Sequence, residues 1–125
     1  MDVTRKLIVI GSLLLATLVT GIWLGQLEKP LNPTLSGIHK LLALAWVIYS
    51  AIVIYHAARP IESRAAYFAA LAVLAISMVA LIASGSVLTV PKSANTTWLT
   101  VHRIVSALAV IASWIAARLI ILNKP

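Results

Sequence analysis

The sequence predicts an all-α fold, a four-helix transmembrane bundle made of two similar helical hairpins. Three observations predict it. Of the 125 residues, 62% are hydrophobic and only 10% are charged, where a soluble domain carries about 25% charged residues. The apolar residues fall into four long runs, each bounded by proline and charge. The second half of the chain repeats landmarks of the first. A chain this short has too little interior to hide so much apolar surface from water, so lipid is the expected solvent.

One transmembrane domain over residues 1–125 is expected, with helices at about 6–27, 33–58, 65–89 and 97–122. The first run, Leu7 to Leu27, carries no charge and is long enough to span. A signal peptide competes for this stretch, but the run is long for an h-region and lacks a clear small-x-small cleavage site. Gly21 and Gly25 form a small-xxx-small pair that admits a neighbouring helix. Glu28, Lys29 and Pro30 end the helix. Asn32-Pro33 opens the second, with Asn as N-cap and Pro at the first helical position. Arg59-Pro60 stops it. A polar turn from Ile61 to Arg64, containing Glu62, precedes the third helix, and Pro91-Lys92 follows that helix. Ser93 to Thr97 is a polar linker with Asn95 and Thr96 as candidate caps. Asn123-Lys124-Pro125 closes the fourth helix.

The formal net charge of +7 comes from basic residues scattered near the ends of apolar runs. That pattern reads as interface anchors and a topology signal rather than a nucleic-acid surface. Arg5, Lys6, Arg59, Arg64, Arg118 and Lys124 fall on the side of the termini; Lys29, Lys40, Lys92 and Arg103 fall on the other. The bias predicts both termini in the cytoplasm. The chain has no cysteine, which excludes disulfides, thiolate metal sites and any dithiol redox mechanism. Intramembrane Asp and Glu are absent, which argues against a proton-coupled exporter.

The repeat carries the candidate site. His39-Lys40 and His102-Arg103 each open an apolar helix, and Ser50 and Ser113 stand eleven residues beyond their histidines. Eleven residues is close to three turns, so each serine shares its histidine's face. Pro30 and Pro91 precede the two histidines, and Gly21 and Gly85 lie near the ends of the preceding helices. A polar, ionisable side chain at membrane depth is costly and usually functional. Two at matching places predict one shared task, the gripping of a metal centre between helices. The second and fourth helices run in the same direction, and bundle interiors are where such centres are built.

A zinc site wants about four protein ligands, or three and water, and copper wants further nitrogen, sulfur or oxygen donors. The outer half of the membrane offers two histidines, no cysteine and no carboxylate. Two ligands suit haem iron, whose porphyrin fills four positions. Lys40 and Arg103 are candidates for haem propionates or lipid phosphates. Ser106 and Ser113 below His102, and Trp46 and Ser50 below His39, are candidate lining residues for a flat macrocycle. Ser36 and the backbone carbonyl of Trp98 are within reach as candidate partners for the imidazole N–H groups. Competing readings stay open: interfacial histidines bonded to water or headgroups, another metal, or a quinone. His56 reads as an ordinary interfacial histidine, Met78 as a gap-filler, and Trp23, Trp98, Tyr55, Tyr67 and Trp114 as interfacial aromatic belts.

With its four-helix layout and its His39-Lys40 and His102-Arg103 motifs, the chain resembles the small bacterial four-helix membrane b-type cytochromes, similar in plan to the cytochrome b561 and ferric-reductase-like transmembrane groups. The resemblance implies non-covalent haem b and electron transfer across the membrane or to a partner. Many members of those groups carry two haems on four histidines; with three histidines this chain is expected to hold one. His39 and His102 are then the axial ligands. The lipid bilayer is the expected partner, with a quinone, a redox partner protein, a second copy or a larger complex as further candidates and no nucleic acid. The chain is read as an electron carrier or oxidoreductase subunit rather than an enzyme by itself. A cofactor-free membrane anchor is the alternative from another functional class.

Overall fold

The structure, a computed structural model, describes residues 2–27, 32–57, 64–90 and 95–122. Four α-helices make up nearly all of them: α1 (Val3–Gln26), α2 (Pro33–Ala57), α3 (Arg64–Leu88) and α4 (Thr96–Leu122). They contain 24, 25, 25 and 27 residues, which at 1.5 Å per residue is about 36 to 40 Å each. All four are long and apolar enough to cross a membrane, so the protein is membrane-embedded. No strand occurs among the described residues.

The expected boundaries hold to within a few residues. α1 starts earlier than expected, at Val3, and takes Arg5 and Lys6 into its first turns. Asn32 caps α2: its Oδ1 accepts from the backbone N–H of Thr34 at 2.9 Å and of Leu35 at 3.3 Å. Asn95 rather than Thr96 caps α4, accepting from the Trp98 N–H at 3.0 Å. Each cap supplies an acceptor to N–H groups that have no partner inside the helix. The expected stop and turn residues Glu28, Lys29, Pro30, Arg59, Pro60, Glu62, Pro91, Lys92, Ser93 and Asn123 to Pro125 lie outside the described residues.

The chain divides into two compact units, Met1–Val53 and Ile54–Pro125. In the first, α1 packs against α2, with Gly21 and Thr20 touching His39. In the second, α3 packs along α4, with Gly85 and Ser84 touching His102. The hairpins are therefore built alike at the level of individual contacts, as the sequence repeat predicts.

The hydropathy pattern explains which groups are covered. α4 buries Ala109, Ala112, Ala116 and Ile120, spaced by three and four residues and hence on one face. Small side chains there allow close helix approach, which is how helices associate where lipid removes the hydrophobic drive. Large apolar residues such as Leu15, Leu41, Ile76 and Leu122 are exposed, the surface a lipid-facing helix presents. Several hydroxyls inside the helices are satisfied locally. Thr17, Ser86, Thr100, Ser106 and Ser113 each donate to the carbonyl four residues back, at 2.7 to 2.8 Å.

Candidate functional site

His39 lies six residues past Pro33 in α2, and His102 six residues past Thr96 in α4. That is about 9 Å into each helix. Both rings are half-buried. Each is seated against the preceding helix by the same pair of neighbouring residues, a hydroxyl residue followed by glycine.

In the first hairpin, His39 Nδ1 lies 3.0 Å from Thr20 Oγ1 and 3.0 Å from the Thr17 carbonyl oxygen. The ring rests on Gly21, where an added Cβ would come within 2.9 Å of His39 Cε1. A side chain at that position would press on the imidazole and force it to shift, so glycine lets the ring sit this close. In the second hairpin, His102 Nδ1 lies 2.8 Å from Ser84 Oγ. Gly85 faces that ring more loosely, its virtual Cβ being 3.4 Å from His102 Cε1.

At Nδ1 the structure places Thr20, the Thr17 carbonyl and Ser84, residues other than the candidates Ser36 and the Trp98 carbonyl. The Nδ1 partners come from the preceding helix, 18 to 22 residues back in the chain. Sequence spacing along a single helix does not reveal them. A signal was nonetheless present: Thr20-Gly21 and Ser84-Gly85 are matching hydroxyl–glycine pairs in the helices that precede the two histidines. The small-xxx-small pair of α1 is put to use at Gly21, with His39 itself as the close neighbour, whereas Gly25 is exposed.

The remaining candidates separate into three groups. Trp46 and Ser50 are both 2% exposed and share the face of His39. Their Nε1 and Oγ atoms are buried and have no hydrogen-bond partner. Ser106 and Ser113 donate their hydroxyl protons to their own helix, at His102 O and Ala109 O. Lys40 and Arg103 are exposed, each about 100° around its helix from the histidine it follows.

Other polar and aromatic groups fall into place by depth. His56 is exposed and makes an edge contact with Tyr55, centroids 5.7 Å apart. Arg118 reaches over the exposed Trp114 ring at 5.4 Å, the posture of a cation anchored at an aromatic belt. Met78 is buried, as its gap-filling reading requires. Tyr67, three residues past the start of α3, is 2% exposed, and its buried hydroxyl has no partner. Among the described residues, no group of three or more His, Cys, Asp or Glu side chains could hold a metal ion.

The chain matches no family model, no curated protein and no solved structure among those compared.

Proposed function

We propose that this membrane-embedded protein is a b-type cytochrome, an electron carrier that holds one non-covalent haem b with His39 and His102 as axial ligands. One observation carries the reading: both histidines are seated alike, with Nδ1 at a hydroxyl and the ring on a glycine. Metal-bound histidines are typically oriented in this way, through a hydrogen bond from the ring nitrogen that does not meet the metal.

The donor set fits the group. Two imidazoles suffice for an iron whose other four positions are filled by porphyrin. A bare zinc or copper ion would want more protein ligands than the described residues bring together. Trp46 Nε1 and Ser50 Oγ, buried without partners on the face of His39, are assigned to the lining of the site, and Ser106 and Ser113 to the matching face of α4. Lys40 and Arg103, exposed at the start of their helices, would neutralise propionates or lipid phosphates there.

Bound haem would supply a one-electron iron couple, and the chain would supply ligation, orientation and a medium of low polarity. The same reading places the termini in the cytoplasm and the histidines toward the outer face of a bacterial or archaeal cell membrane. A quinone or a redox protein would exchange electrons with it. Purified protein should be red, with reduced-minus-oxidised bands of b type, and His39→Ala or His102→Ala should each abolish them. Colourless protein from haem-replete cells would instead favour a cofactor-free membrane anchor.

A further inference from the structure

We infer that Thr20 and Ser84 are positioning residues that lock the two imidazoles in the Nδ1–H tautomer and thereby present Nε2 to a metal. The lock concerns the chain alone; its metal end rests on the haem reading above.

The available protons decide the tautomer. A serine or threonine hydroxyl has one proton to give, and a carbonyl oxygen can only accept. Ser84 Oγ lies 2.7 Å from the Ala80 carbonyl oxygen. Two oxygens at that distance repel unless a proton lies between them, so Ser84 donates to Ala80. What Ser84 turns toward His102 Nδ1, 2.8 Å away, is then a lone pair, and Nδ1 must be the donor. Thr20 repeats the pattern. Its Oγ1 lies 2.9 Å from the Ala16 oxygen and 3.0 Å from the Thr17 oxygen, so its proton is committed to its own helix. His39 adds an independent check, because its Nδ1 also lies 3.0 Å from the Thr17 carbonyl, an oxygen with no proton to offer. In a neutral imidazole the second nitrogen then carries the lone pair. That nitrogen is Nε2 in both rings.

The His39 proton is shared between Thr20 Oγ1 and the Thr17 carbonyl, so loss of the Thr20 hydroxyl leaves one of these acceptors in place. His102 Nδ1 meets the Ser84 hydroxyl through the shorter contact. A hydrogen bond at Nδ1 also raises the basicity of the ligating nitrogen, which favours ferric over ferrous iron. Loss of the Ser84 hydroxyl should move the potential in the positive direction.

The test uses the full chain labelled with 15N-histidine, prepared without haem in detergent micelles at about pH 8.5, where imidazole is neutral. Nitrogen chemical shifts distinguish the tautomers, and exposed His56 serves as internal reference. Both His39 and His102 should read as Nδ1–H. Ser84→Ala should move the His102 tautomer ratio roughly tenfold toward Nε2–H, the scale of one lost hydrogen bond, with His39 unchanged. Ser84→Thr should restore the ratio, and Thr20→Val should shift His39 only in part, because the Thr17 carbonyl remains as an acceptor. In haem-loaded protein, Ser84→Ala should raise the potential and Ser84→Thr should return it. An Nε2–H signal at either ring in the unsubstituted protein would overturn the inference. So would an unchanged His102 tautomer in a Ser84→Ala protein of normal helix content. Because the tautomer is read without haem, failure of the lock and failure of haem binding appear in separate measurements.

Discussion

Gly21 is the tightest point of the site, and its substitution is the sharpest residue-scale test of the seat. A Cβ there would lie 2.9 Å from His39 Cε1, so Gly21→Ala must displace the ring or part the helices. Overpacking of this kind costs about 1 to 3 kcal/mol. Thermal unfolding in detergent should fall accordingly, and pigment should be lost with it. Gly85→Ala, with 3.4 Å to its histidine, should be milder on both counts; equal effects would refute the difference in fit. Ser50 makes the opposite prediction. Its hydroxyl is buried without a partner, and an unpaired buried group carries a penalty of about 1 to 3 kcal/mol. Ser50→Ala in haem-free protein should therefore hold or raise the melting temperature, and a clear drop would mean the hydroxyl has an acceptor. The histidines were legible as candidates because a polar residue stands out in an apolar run. Their seats were not, since Thr20 and Ser84 resemble any hydroxyl in a membrane helix until the hairpin register brings them beside a ring.

The helices themselves were legible, and for a simple reason. Each is a run of apolar residues long enough to span, and interruptions such as Pro30, Pro60 and Pro91 fall between runs. The Asn32 start signal was equally plain, since a capping side chain stood directly before a proline. Asn95 was harder to separate from Thr96, because both are good caps and only the contact with the Trp98 N–H decides. These caps give an element-scale prediction. Asn32→Ala and Asn95→Ala should each cost about 1 kcal/mol, measured as a lower midpoint in a denaturant or thermal series. Asn32→Ala should cost more, since its Oδ1 serves two backbone N–H groups. Identical midpoints to the unsubstituted chain would show that the caps are replaced by water at the interface. The burial of Tyr67 was not legible, because exposed and buried aromatics near a helix end share one sequence signature; burial depends on the neighbouring helix, which composition does not specify.

At the scale of the molecule, the chain reads as one hairpin plan used twice: an asparagine cap, a histidine seven residues later, and a hydroxyl–glycine pair in the helix before. The orientation of that plan can be read directly, because the chain has no cysteine to confuse a labelling experiment. Asp2→Cys should be shielded from a membrane-impermeant thiol reagent in intact cells, and Asn95→Cys should be labelled. The reverse pattern would invert the proposed topology. Two imidazoles on one iron would leave a direct signature in the electron paramagnetic resonance of the oxidised protein, read together with its haem content. The expected result is one haem per chain with a low-spin, bis-imidazole ferric signal that His39→Ala or His102→Ala each removes. High-spin iron in the unsubstituted protein, or a low-spin signal that survives either substitution, would contradict it.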